Sequence, residues 1–330
     1  MSVVDIPASH AEQGLGPLRG LLTSEDVNEV VINPDGRVWV ERADAEHMIP
    51  WEGAIPSARL RTLGGHLAGE TRNQLGPQHP IVSGRVRVFG RSVRVQVIVP
   101  PAIEEGVSVS IRKYVSRVLD VGEVKFVEGR QVDVEGERRA RLAALAALAS
   151  AGELSELFRL AVAGRLNMLV SGGTSSGKTT LTRAILAMSD ERERLVTIED
   201  APELHLSHPN AVALTADRRP DSGRSPARLL ESALRMRPDR LILGEIRGVE
   251  AFDFLEAINT GHPGSITTIH ADSPVLALER LAMMVLRAGL GQTRADVVEY
   301  ARSTIDLVVQ VGRRGGRRGV LEVHMPALAG

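Results

Sequence analysis

No cysteine occurs in the 330 residues of this chain, which excludes a disulfide scaffold, a thiol nucleophile and any cysteine-ligated zinc or iron–sulfur centre. Aromatic residues are nearly as scarce. Five Phe, two Trp and two Tyr are few for a protein that would stack nucleobases along a groove. No apolar run approaches the roughly 18–20 residues of a membrane-spanning helix. The opening MSVVDIPASHAEQG has neither the basic nor the apolar region of a secretory signal, so a cytoplasmic, non-spanning protein is expected. Excess charge is missing too: 40 basic residues face 41 acidic ones, and nothing demands a polyanionic partner. Lysine is reduced to Lys113, Lys125 and Lys178, every other basic residue being arginine. Such a bias makes an arginine uninformative by itself and gives a retained lysine more weight.

What is there is ordinary for a folded protein of about two domains: 43% hydrophobic and 25% charged residues argue against disorder. The first third is β-rich. EVVINPDGRVWVER alternates around Pro34-Asp35-Gly36 as a hairpin does, and GRVRVFGRSVRVQVIVPP does the same around Gly90. VSVSIRK supplies a further strand. SARLRTLGGHLAGETR, residues 57–72, reads as an amphipathic helix on this sheet, weakened by Gly64-Gly65. The texture changes after residue 115, and the division expected is an N-terminal α/β domain over 1–117, a linker over 118–138 and a second domain over 139–330. From 139 onward helices alternate with short apolar strands, the pattern of a mostly parallel sheet covered on both faces. Ser225-Pro226 and Ser273-Pro274 have the serine-then-proline order of helix starts.

The strongest motif is Gly172-Gly173-Thr174-Ser175-Ser176-Gly177-Lys178-Thr179, a complete G-x-x-x-x-G-K-[ST] between an apolar strand, NMLV, and a helix. Glycines let successive backbone N–H groups turn inward onto phosphate oxygens at the positive end of the following helix. Lys178 then reaches the β- and γ-phosphates, and the Thr179 hydroxyl can ligate Mg²⁺. Thr180 closes the run and is counted with it as a nucleotide contact. ATP and Mg²⁺ are the ligands this loop predicts.

In a parallel sheet the ligand crevice lies at the carboxyl ends of the strands. Three further strands finish there in polar chemistry: RLVTI in Glu199-Asp200, RLILG in Glu245, and SITTI in His270. A carboxylate at Glu245 can hold the hydration shell of Mg²⁺ or orient an attacking water, with Glu199 assisting. His270 has the position of a sensor of the terminal phosphate. His262, in NTGHPGS, is as well explained by turn chemistry.

Taken in order, VRVQVIVPPAIEEGVSVSIRK, SGGTSSGKTT, TIEDAPEL and LRMRPDRLILGEIRGVEAFDFLEAINTGHPGSITTIHADSP resemble the type II/IV secretion ATPase superfamily. They are most similar to the traffic ATPases of type IV secretion and conjugal-transfer machines. The resemblance runs over residues 25–310 and rests on four separate motifs. It implies a RecA-like P-loop NTPase domain behind a smaller, β-rich N-terminal domain, an ATPase assembled as a homo-hexameric ring, and nucleotide held between the domains. It implies inner-membrane partners and a cytoplasmic location, peripheral on the inner face of the membrane. By position, Glu199 matches the family's catalytic acid in the aspartate box, Glu245 the Walker B acid and His270 the histidine of the histidine box. Arg94 in VRVQ and Arg112 in SIRK match N-terminal arginines that reach the terminal phosphate. Strand parity agrees, because Arg94 shares a face with Gln96, and Arg112 with Ser108 and Ser110, opposite the valines. Arg85, Arg87 and Arg91 have similar settings, so parity alone does not select the pair.

Two departures stand out. Ser175 occupies a loop position where glycine is common, with little effect expected on phosphate binding. The cysteine-based metal element of many type II secretion ATPases is missing, which favours the type IV branch and leaves the tight-adherence pilus ATPases as an alternative. A nucleic-acid translocase is the rival from another class. It ranks lower because a basic groove with interleaved aromatics is not legible, and direct nucleic-acid binding is not expected. A nucleotide-gated scaffold without turnover and a small-molecule kinase complete the alternatives. Near the end, GRRGGRRG reads as a hairpin tip carrying Arg313, Arg314, Arg317 and Arg318, either simply solvated or set against an anionic lipid surface.

Overall fold

The computed structural model describes residues 9–114, 120–219, 222–289 and 291–328. The boundary expected at 117/118 lies outside the described residues. By compactness the chain divides into two units: Met1–Val115 with Glu191–Pro202 and His208–Pro238, and Ser116–Asp190 with Glu203–Ser207 and Asp239–Gly330. Elements are numbered in chain order.

The first unit is built on a six-stranded antiparallel sheet. Its strands are β1 Val27–Ile32, β2 Arg37–Arg42, β3 Ile49–Ala54, β4 Ile81–Val88, β5 Arg91–Ile98 and β6 Ser108–Lys113, in the order β3-β2-β1-β6-β5-β4. Both predicted hairpins form, with Gly36 and Gly90 at φ +85° and +74°, values that an L side chain rarely adopts. Short helices α1 His10–Gly14 and α2 Arg19–Thr23 precede the sheet, and α3 Ser57–Glu70 packs on it. On α3, Leu60, Leu63 and Leu67 recur at helical spacing and are buried with Val93, Val95 and Val97 of β5. A Cβ on Gly64 would come within 3.3 Å of both Val97 and Val107, so this glycine lets the helix approach the sheet closely. The opposite sheet face is more enclosed than alternation suggests: Gln96, Ser108 and Ser110 are buried, while Arg94 and Arg112 are exposed. The unit also takes in the parallel pair β8 Leu195–Glu199 and β9 Ala211–Thr215, and helix α7 Pro226–Ala233, capped by Ser225. A fully buried guanidinium ties these parts together, Arg194 donating to the side-chain oxygens of Asn33 and Asn210 and to the Met236 carbonyl.

The second unit opens with helices α4 Val134–Ala151 and α5 Leu154–Ala163, the first beginning inside the stretch read as linker. Then follow β7 Met168–Ser171, α6 Lys178–Leu186, β10 Arg240–Leu243, α8 Glu250–Asn259, β11 Ile266–Ile269, α9 Pro274–Leu286, α10 Arg294–Thr304, β12 Leu307–Arg314 and β13 Arg317–His324. Strands β12, β7, β11 and β10 lie side by side in that order, all parallel, and β13 closes back antiparallel on β12. β7, β10 and β11 are buried throughout, as expected of parallel strands covered on both faces. Ser273 caps α9 with Pro274 at its first position, as its sequence predicts. The β12–β13 hairpin turns at Gly315-Gly316, both at positive φ, and sets Arg313 opposite Arg318 and Arg314 opposite Arg317, all exposed. Among the described residues no helix is long and apolar enough to cross a membrane.

Candidate active site

The phosphate loop joins β7 to α6, and two of its three glycines are required by the local geometry. A Cβ on Gly172 would lie 2.5 Å from the Val311 carbonyl oxygen and 2.6 Å from Ser176 Oγ. Gly177, at φ +101°, turns the chain into α6. Ser175 also adopts a left-handed conformation, φ +57°, which gives a physical reason for glycine at this position in related loops. Thr174, Ser175 and Thr180 are exposed. Ser176 is buried and, among the described residues, its Oγ has no hydrogen-bond partner. An unsatisfied buried hydroxyl is costly, and in a loop of inward-turned N–H groups it fits a phosphate oxygen.

Lys178 is buried and bent back onto its own loop, donating to the carbonyls of Gly172 (2.9 Å) and Gly173 (3.1 Å). Burial lowers its pKa, the Glu245 carboxylate opposes that effect and the Arg247 charge adds to it. Its Nζ lies 3.4 Å from His270 Nδ1, and His270 Nε2 lies 3.2 Å from Glu245 Oε1. The imidazole therefore stands between the loop lysine and the acid following β10. The ring thus presents Nδ1 to the lysine and Nε2 to the carboxylate.

Glu245 is held from the other side by Arg247, whose Nε and Nη2 donate to the two carboxylate oxygens, each at 2.9 Å. Burial raises the Glu245 pKa, but the Arg247 hydrogen bonds and charge, together with His270 and Lys178, outweigh it and leave the group below its usual value. The backbone around Glu245 is stitched to β11: Thr268 Oγ1 donates to the Gly244 carbonyl at 2.7 Å, and the Ile246 N–H to the Thr268 carbonyl at 2.9 Å. Thr179, placed by α6, donates its hydroxyl to Glu203 Oε2 at 3.2 Å.

Lys178, Thr179, Glu245 and His270 thus come together in the second unit. Arg94, Arg112 and Glu199 belong to the first. Arg94 and Arg112 are direct cross-strand neighbours on β5 and β6 and line a cavity of about 510 Å³ with Asn28, Glu41, Lys113 and Tyr114. Cross-strand pairing extends this row to Arg85 on β4 on one side and, on the other, to Glu29 on β1 and Glu41 on β2. Arg85 lies over the Tyr114 ring at 5.2 Å. Glu199, at the end of β8, is buried and accepts from Thr197 Oγ1 at 3.1 Å. Sequence reasoning missed Arg247 and Glu203. In a chain whose cations are nearly all arginine, Arg247 carries no compositional signal. Glu203 follows Glu199 by four residues, and only its approach to Thr179 marks it.

Residues 85–313 match the type II/IV secretion system protein family, a span that contains every residue of both clusters apart from Asn28, Glu29 and Glu41. The type IV secretion system protein VirB11 of Bartonella quintana is 33% identical over 94% of this chain and 91% of its own length. The conjugal transfer protein TrbB of Rhizobium radiobacter is 35% identical over 92% of this chain and 84% of its own length. In structure, the VirB11 ATPase of the Brucella suis type IV secretion system, solved with sulphate, superposes with a TM-score of 0.84 at 34% identity, covering 96% of this chain and 95% of that one. The complete phosphate loop, the acid and histidine at the ends of adjoining strands and these full-length likenesses agree: the chain belongs to the type II/IV secretion system protein family, among its type IV secretion and conjugal-transfer ATPases.

Proposed function

We propose that this chain is the ATP-hydrolysing motor of a type IV secretion or conjugal-transfer machine. The observation that carries the reading is the linked set Lys178–His270–Glu245 beside a complete phosphate loop, at the carboxyl ends of β7, β11 and β10. Lys178, Glu245 and the Thr179 hydroxyl each have protein partners within reach of the loop. Triphosphate replaces the loop carbonyls as the partner of Lys178 and satisfies the orphaned Ser176 hydroxyl. Glu245 orients a water molecule for in-line attack on the terminal phosphate, and Glu199 assists. His270, touching both Lys178 and Glu245, reports on whether that phosphate is present.

Thr179 and Glu245 offer hard oxygen donors, the chemistry Mg²⁺ requires. Bound there, the ion would neutralise charge on the β- and γ-phosphates.

Arg94 and Arg112 are assigned to the terminal phosphate of ATP. An arginine that completes such a site contributes about 10³–10⁵ in rate. In this reading the chain works as a homo-hexameric ring, with the front domain ending near residue 117, at the cytoplasmic face of the membrane and with inner-membrane components of the machine as partners. The exposed arginines of the β12–β13 tip fit an anionic lipid surface, at about 1 kcal/mol per charge near the membrane.

The test is genetic and biochemical together. Deleting the gene should abolish transfer by its host, wild-type copies should restore it, and Glu245→Gln copies should not, although the variant still assembles by native mass measurement in ATP. Transfer at wild-type frequency from the Glu245→Gln strain would remove the motor reading.

A further inference from the structure

Glu245 is useful as a water-orienting acid only if its carboxylate plane is fixed, and the strand end alone does not fix it. Arg247 does so in a specific way. Its Nε and Nη2 meet Glu245 Oε1 and Oε2 in parallel, both at 2.9 Å, the two-bond geometry that sets a carboxylate's plane as well as its charge. Arg247 is half exposed, and an exposed ion pair by itself contributes little. Two further observations separate this pair from a solvated one.

First, the turn that carries Arg247 is pinned from within. Glu250, 4% exposed at the start of α8, accepts from the backbone N–H of Arg247 at 2.9 Å and of Gly248 at 3.1 Å. A buried carboxylate spent on two backbone N–H groups holds the turn, and so the root of the guanidinium, in place. Second, the same Glu245 oxygen that accepts from Arg247 Nε also faces His270 Nε2 at 3.2 Å, so the acid is fixed from two sides by groups rooted on different elements.

We propose that Arg247 is a positioning residue for ATP hydrolysis: presented by the Glu250-pinned turn, its guanidinium clamps both oxygens of Glu245 and holds the carboxylate in the orientation that directs water at the terminal phosphate. This rests on the reading of Glu245 as the acid of the reaction. Arg247 acts through Glu245 and makes no contribution of its own to holding nucleotide.

The experiment compares steady-state ATP hydrolysis by the full-length wild type, Arg247→Ala, Arg247→Lys and Glu245→Gln. Arg247→Ala should lower kcat by about 10²-fold, the scale of an ångström-sized misplacement, and leave KM unchanged. Guanidinium chloride at tens of millimolar, well below denaturing levels, should restore part of that loss in Arg247→Ala and none in Lys178→Ala. Arg247→Lys keeps the charge but cannot span two oxygens, so its kcat should also fall at constant KM. It carries the test if Arg247→Ala does not fold. Full turnover in Arg247→Lys, a raised KM with intact kcat, or a folded Arg247→Ala that guanidinium does not rescue would each overturn the clamp. Full turnover in Glu245→Gln would instead remove the underlying reading of the acid, and the two failures are distinct.

Discussion

Replacing Glu29 by glutamine should stabilise the protein at neutral and alkaline pH and leave it nearly unchanged in acid. Glu29 is 3% exposed on β1, paired across the sheet with Glu41 on one side and Arg112 on the other. Burial raises its pKa, the neighbouring Glu41 raises it further, and Arg112, Arg194 and Arg237 pull the other way; the outcome is about 7 against an ordinary 4.5. The folded state therefore keeps a proton that the unfolded chain gives up. Stability from this group is fully present below about pH 4.5 and is lost as pH rises through about 7. A shift of that size corresponds to about 3 kcal/mol. Urea midpoints of the wild type and Glu29→Gln, measured side by side from pH 5 to 8.5, read it directly. The two should agree to within about 1 kcal/mol at pH 5, and the variant should lead by about 3 kcal/mol above pH 8. A gap that does not change with pH would refute the argument, because a shape or packing effect of the substitution has no reason to titrate.

Two other substitutions probe the phosphate loop. Gly172→Ala drives a methyl group to 2.5 Å from a β12 carbonyl oxygen, which cannot swing aside; a loss of about 1–3 kcal/mol in a thermal melt is expected, with loss of binding of a fluorescent ATP analogue. Ser175→Gly relieves a left-handed backbone at φ +57°. The relief of about 1–2 kcal/mol exceeds the backbone entropy that glycine adds to the unfolded chain, so a small rise in melting temperature is expected with nucleotide affinity unchanged.

How far the sequence carries depends on how local the cause is. The hairpins at Gly36 and Gly90, the phosphate loop and the serine-capped helices are legible because a few adjacent residues dictate each. Strand β3 is not: IPWEGA contains Pro50 and Gly53, is mostly exposed and shows no apolar alternation, so it exists because β2 templates it. Gly64 reads as a weakness in a helix until Val97 and Val107 show that close packing requires it. Alternation correctly separates Arg94 and Arg112 from the valine face. It cannot foresee that Gln96, Ser108 and Ser110 on their own face are buried. At the site, Lys178 and Glu245 are visible as motif positions. Arg247, Glu250 and Glu203 matter only through contacts with groups elsewhere in the fold, and one arginine among so many carries no mark.

The most direct measurement is phosphate release from Mg-ATP by the purified wild-type chain and by Lys178→Ala, the variant first being shown folded by its melting curve. Sustained turnover by the wild type and none above background in Lys178→Ala is the expected result. Equal turnover by the two proteins would contradict the assignment of the Gly172–Thr179 loop as the site of hydrolysis.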